Sequence, residues 1–131
     1  MPFVSVTRLR LRSLRFFLPF VWDTTASIRQ AKKSPGCFGV RTRKTGGLSF
    51  WTLTIWENEE SMKAFRIRSP HREAMPKLAH WCDEASLAHW VQESKEPPSW
   101  EQATERLAAL GRLSKVSHPS QDQDEGRISI A

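Results

Sequence analysis

An antiparallel α+β fold is what this sequence predicts, on three observations. Apolar residues alternate with period two in several short stretches, and the stretches between them carry helical spacing. The segment Leu48 to Glu57 sets Trp51, Leu53 and Ile55 on one side of a strand and Phe50, Thr52, Thr54 and Trp56 on the other, so both sides need cover. The chain has 131 residues, enough for one core and too few for two.

The first strand is expected over Phe3 to Leu11, with Val4 and Val6 facing one way and Phe3, Ser5, Thr7 and Leu9 the other. Ser13 caps a helix running to Lys33, with Phe17, Phe20, Val21, Thr24, Ile28 and Ala31 at helical spacing. Pro19 falls near its first turn, where a missing N–H is tolerated. Ser34-Pro35-Gly36 stops the helix. Cys37 to Lys44 and Leu48 to Glu57 form a hairpin about Gly46-Gly47. Asn58 caps the next helix, and Glu59 and Glu60 complement the positive end of its dipole. Ser69-Pro70 breaks this helix and restarts it through Met75, Leu78 and Trp81, and Glu84 to Glu93 is a fourth strand.

The order strand, helix, strand, strand, helix, strand is the split βαβ, ferredoxin-like arrangement, with two helices on one face of the sheet. Trp51 is expected to face those helices as core. The face bearing Thr52, Thr54 or their neighbours is expected to pair with a second copy. After Pro97-Pro98, Ser99 and Gln102 make a capping box for an added C-terminal helix with Ala103, Leu107 and Leu110 on one face, closed by Gly111. It is expected to be a lid over the sheet or a clamp on a partner. The domain is therefore drawn as residues 1–111. Residues 112–131, rich in Ser, Gln and Asp, are expected to be a disordered polar tail.

A formal charge of +6 raises the question of nucleic acid, but the basic residues are scattered over Arg8, Arg10, Arg12, Arg15, Lys32, Lys33, Arg41, Arg43 and Lys44. No nucleic-acid-binding signature organises them, so a solvated basic surface is expected and no nucleic-acid partner. Six Trp and seven Phe supply apolar area for a core or pocket. Two cysteines are too few for a disulfide framework, which points to free thiols in a cytoplasmic protein. The short apolar run Phe16 to Trp22 contains Pro19 and lacks a cleavage site, so it is not read as a targeting signal. No run approaches the ~20 apolar residues of a membrane span, and no membrane partner is expected. No nucleophile elbow, phosphate loop or carboxylate pair supports a hydrolase or phosphotransferase.

Five stretches carry a family likeness: L-T-I-W-E (53–57), the acidic helix start after it, M-K-A-F (62–65), S-P-H-R-E-A-M (69–75) and D-E-A-S-L-A-H-W (83–90). Over about Phe3 to Glu93 the chain resembles the antibiotic-biosynthesis-monooxygenase-like dimeric α/β-barrel proteins, in an uncharacterised branch near spheroidene monooxygenase. The resemblance implies a homodimer whose protomers each enclose an apolar cavity between sheet and helices. It spans cofactor-free oxygenases of aromatic polyketides, haem-degrading enzymes and haem proteins. Where the haem-degrading members carry an Asn on the first strand and a Trp and a His on the second helix, this chain has Thr7, Phe65 and Met75. Where the polyketide oxygenases have Trp and polar groups by the cavity, Trp56, Thr54 and Thr52 match; their tyrosine has no counterpart, because the chain has no Tyr.

His71 and His89 are the candidate catalytic residues. A neutral imidazole is usable as a general base near neutral pH; the plain alternative is a hydrogen-bonded surface or core histidine. Thr52, Thr54, Trp56 and Phe65 are candidate substrate-binding residues, since a mixed aromatic and hydroxyl wall suits a pocket better than a close-packed core. Arg41 joins them if its alternation with Arg43 faces a cavity; an exposed strand face is the alternative. His80, Cys82 and His89 lack zinc spacing, so no metal is expected. The leading expectation is a monooxygenase-like enzyme that needs no cofactor and acts on a hydrophobic, oxidisable small molecule. A haem-binding protein or haem-dependent monooxygenase is the alternative, and a non-catalytic ligand-binding dimer the second.

Overall fold

In the computed structural model, which describes residues 1–68 and 71–131, five strands form one antiparallel sheet in the order β2-β3-β1-β4-β5. The elements are β1 (Phe3–Leu11), α1 (Phe17–Lys33) entered through a 3-10 turn at Leu14–Phe16, β2 (Cys37–Thr45), β3 (Ser49–Trp56), α2 (Glu59–Arg66), α3 (His71–Trp81), β4 (Cys82–Val91), α4 (Trp100–Leu110), β5 (Arg112–Leu113) and α5 (Gln121–Asp124). This is the expected ferredoxin-like α+β order, with a two-residue fifth strand added at the β4 edge.

Caps fall where side-chain chemistry puts them. Asn58 Oδ1 accepts from the Ser61 N–H at 2.9 Å, Ser99 Oγ from Gln102 N–H at 3.1 Å, and Ser13 Oγ from Arg15 N–H at 3.4 Å. The expected Ser69-Pro70 cap lies outside the described residues. Gly36 ends α1 with φ +83°, a conformation side chains resist, and a Cβ there would meet the Ser61 side chain. Gly36→Ala is therefore expected to lower stability by about 1–3 kcal/mol, read as a shift in denaturation midpoint. Gly111 closes α4 as expected, without a left-handed backbone. Its backbone is extended, and a Cβ would meet the Leu107 carbonyl oxygen and lie 2.9 Å from Ile128 Cδ1.

The sheet register fixes which residues share a face. Arg8, Val6 and Val4 lie opposite Trp51, Leu53 and Ile55, and opposite Ser86, Ala88 and Trp90 on the other side. The apolar ones, Trp51 at 1% exposure among them, form a core with Ala103 and Leu107 of α4, closed by Trp100 and Ile128. The face of Trp51 is thus covered by α4 and the C-terminal segment, while the face of Thr52 and Thr54 lies under α1, α2 and α3. Both expectations about faces are reversed: Trp51 does not face the first three helices, and the threonine face is not free to pair with a second copy. With each face covered by the chain itself, the need for a partner that motivated the homodimer is removed.

Residues 112–131 are likewise packed rather than disordered. Gln123 Nε2 donates to the Ser114 carbonyl at 2.7 Å, the Ala85 N–H donates to Gln123 Oε1 at 3.2 Å, and Val116 joins a core cluster with Phe20 and Cys82. Arg8 is 2% exposed and donates to Glu84 Oε1 at 2.9 Å, to Ser49 Oγ at 3.1 Å and to the Ala131 carbonyl at 2.9 Å. A polar tail becomes ordered when its hydrogen-bonding groups meet unsatisfied partners on a sheet edge. Composition alone does not carry that information.

Candidate active site

Beneath α1, α2 and α3 the sheet presents two rows of side chains running across the strands. Val40, Thr54, Ser5 and His89 are register neighbours in one row, and Thr42, Thr52, Thr7 and Leu87 in the next. Between this floor and the helices lies a cavity of about 210 Å³, roofed by Ile28 and Ala31 of α1, Phe65 and Arg66 of α2, and His71 and Met75 of α3. Short hydroxyl side chains leave the space that Leu or Phe in the same rows would fill.

Of the residues singled out in the sequence, Thr52, Thr54, Phe65, His71 and His89 line this cavity together, and so does Thr7. Trp56 does not. It is 0% exposed, packed with Phe3, Ala31, Met62 and Phe65 as core, and its Nε1–H donates to Thr54 Oγ1 at 2.8 Å. Its role is indirect: it fixes the Thr54 hydroxyl and backs the Phe65 ring at 5.2 Å between centroids. Arg41 does not line the cavity either. It pairs with Leu53, which places it on the opposite face, and its side chain is exposed. Its neighbour on that face, Arg43, lies 4.6 Å from the Trp51 ring and 4.8 Å from the Trp100 ring and donates to Thr104 Oγ1, so it clips α4 to the sheet.

His71 is held by groups that sequence reasoning missed. Gln30 of α1 accepts the His71 backbone N–H at 2.8 Å and donates to the carbonyls of Phe65 and Arg68, tying α1 to the ends of α2 and α3. No sequence signal marks Gln30, one polar residue on a partly buried helix side. His71 Nδ1 lies 3.2 Å from the Arg66 carbonyl oxygen. A carbonyl only accepts, so Nδ1 carries the proton and Nε2 is the lone-pair nitrogen of the neutral ring. The ring packs against Phe65 at 4.6 Å, and burial above all lowers its pKa; the Arg66 carbonyl opposes that shift and the Arg66 charge adds to it.

His89 packs beside Phe3 at 5.2 Å. Its pKa is also lowered, first by burial and then by the charges of Arg112 and Arg66, with Glu59 opposing. Both imidazoles are therefore neutral bases at neutral pH. The charge around the cavity is positive: Arg66 and Lys115 line it and enter no ion pair among the described residues, while Asp23, the acid in the lining, is tied to Lys77 at 3.1 Å. An anion formed in the cavity gains from that field.

Haem does not fit these residues. The cavity is smaller than the ~300–1,000 Å³ usual for drug-sized ligands, and a porphyrin needs more room than most such ligands. At the positions where the haem-degrading enzymes hold Asn, Trp and His, the lining presents Thr7, Phe65 and Met75.

A sheet with helices on one face and a cavity between them is the fold of the antibiotic biosynthesis monooxygenase-like proteins, and solved structures bear this out. The chain is similar to a conserved protein from Methanosarcina mazei Go1 at 16% identity and TM-score 0.65, over 71% of this chain and 94% of that one. It is similar to a "putative antibiotic biosynthesis monooxygenase" from Deinococcus radiodurans at 13% identity and TM-score 0.64, over 70% and 93%. It is also similar to SnoaB, a cofactor-independent oxygenase from Streptomyces nogalater, at 8% identity and TM-score 0.60, over 71% and 94%. A comparison with curated proteins gives no match. The chain belongs to the DUF3291 family, a domain of unknown function, whose model matches residues 19–117.

Proposed function

We propose that this protein is a small-molecule oxygenase that acts on a hydrophobic, acidic and easily oxidised substrate, such as a phenol or an enolisable ketone, in the cavity under the helices. The observation that carries this reading is the pair of neutral, half-buried histidines, His71 and His89, facing a hydroxyl-lined floor in a positive field. One imidazole removes the substrate proton, and the carbanion character of the resulting anion lets it give electrons to O2. A C–O bond forms as a hydroperoxide, which takes a proton. Loss of water from a carbon that still bears hydrogen leaves a carbonyl, so CH2 and O2 become C=O and H2O, with the substrate as the reductant. The protein's part is orientation, exclusion of water and holding the proton. Thr52, Thr54, Ser5 and Thr7 offer hydrogen bonds, and Phe65 offers an aromatic face.

Within the fold we place the chain near the spheroidene monooxygenase branch, on the resemblance that runs over about Phe3 to Glu93. A cytoplasmic location belongs to the same reading. Cys37 and Cys82 are both free, and burial pushes the Cys82 thiol up to about 12, which keeps it inert.

The test is O2 consumption with a panel of polycyclic phenols and 1,3-diketones. His71→Ala or His89→Ala, whichever removes the working base, is expected to lower turnover by about 10²–10⁴-fold with binding nearly unchanged. Full turnover in both variants would refute the proton-transfer role. Binding without O2 uptake would favour the ligand-binding alternative.

The lowered pKa values also set a stability window. Between the ordinary histidine value near 6.5 and the lower folded values, the unfolded chain binds more protons than the folded one. The stability linked to these histidines is therefore fully present above about pH 6.5 and is lost as pH falls toward their folded pKa values. In a pH series of melting temperatures, His71→Gln should flatten the decline below pH 6.5. An unchanged slope would show that the His71 ring is not buried as described.

A further inference from the structure

We propose that the outer face of α1 docks on an anionic membrane surface. Leu14, Leu18 and Trp22 are 73%, 77% and 79% exposed, with Val21 at 39% beside them. Steps of four residues set the first three in a line along the entry turn and the first half of α1, while Phe16, Phe20 and Ala31 turn inward as core. An apolar line so exposed on a folded domain marks an interaction surface. Trp22 differs from Trp51, Trp56 and Trp90, which are all buried.

The occupant is argued from charge. The same outer face continues into Arg29, Lys32 and Lys33, and Arg15 stands between Leu14 and Leu18 with its guanidinium 4.7 Å over the Phe16 ring. All four cations are exposed and none enters an ion pair among the described residues. Asp23, the acid of this helix, has a side chain 18% exposed and is bound to Lys77. A second copy presenting this face would bring cations and no acid to it. An anionic bilayer supplies both an apolar boundary and negative charge, and Trp suits that boundary because its ring is apolar with one polar N–H. No helix among the described residues is long and apolar enough to cross a membrane. The absence of a span, on which no membrane partner was expected, leaves flat docking of a folded helix open.

The test uses the full chain and co-sedimentation with vesicles of phosphatidylserine and phosphatidylcholine in equal parts, against phosphatidylcholine alone. The protein is expected to pellet with the anionic vesicles only, and less as salt rises. Leu18→Ser and Trp22→Ser should each weaken partition roughly tenfold or more, with circular dichroism and melting temperature unchanged because both side chains are outside the core. A blue shift of tryptophan emission on binding should vanish in Trp22→Phe. No pelleting with anionic vesicles, or equal pelleting of wild type and both serine variants, would overturn the proposal. So would self-association in light scattering that Leu18→Ser abolishes, since the occupant would then be a second copy.

Discussion

Trp51→Ala is expected to lower stability by about 3–5 kcal/mol in a denaturant titration, among the largest single-residue effects in this fold. Trp51 is 1% exposed at the centre of the cluster that joins β1, β3 and β4 to α4. It also holds three specific partners: Thr45 Oγ1 accepts its Nε1–H at 2.8 Å, the Arg43 guanidinium covers its ring, and Trp100 meets it edge-on at 6.4 Å. Removing it leaves a cavity and frees Arg43 and Trp100, so α4 should lose protection from amide exchange ahead of the rest of the sheet. Trp56→Ala should cost a similar ~3–5 kcal/mol, because Trp56 is equally buried. A Trp56 variant of near-native stability would restore that residue to the cavity wall.

Arg8→Met is the second large effect, about 3–5 kcal/mol, because it leaves Glu84 as a buried carboxylate without its principal counter-charge. Arg10 remains 3.4 Å from Glu84 and Ser120 Oγ still donates to it at 2.7 Å, but Arg10 is 38% exposed and shared with Asp83, so compensation is partial. A guanidine titration at pH 7 checks it, and adding Glu84→Gln to Arg8→Met should recover part of the loss, because no buried charge is then left unpaired. No recovery would mean that the loss is one of packing alone.

The element order, the hairpin and the caps at Asn58 and Ser99 were legible because each rests on local chemistry: alternation, a pair of glycines, a side-chain acceptor at the start of a helix. The grouping of Trp51 with Leu53 and Ile55, and of Thr52 with Thr54, was legible for the same reason. Which face the first three helices would cover was not. Both faces carry aromatic residues, and the answer depends on where α4 docks, far along the chain. Arg41 was misplaced because its side of the sheet depends on a register with β3 that shifts between Cys37 and Gly39. The two histidines could be picked out as residue types, but the tautomer of His71 rests on a carbonyl five residues away, at the last residue of α2. Gln30, which ties down the ends of α2 and α3, belongs to a different helix altogether.

The bond between Arg8 and Glu84 joins residues 76 apart, and that between Arg8 and Ala131 joins residues 123 apart. During synthesis the central strand β1 is therefore made first and completed late. At ~5–20 residues per second the β4 partner follows by roughly 4–15 s, and the last contact of Arg8 comes later still. For that interval a nascent chain carries a hydrophobic strand with at least one open edge and a guanidinium that can reach Ser49 but neither Glu84 nor Ala131. The order of manufacture thus leaves β1 without its β4 partner for that interval, and a slow codon before β4 would lengthen it.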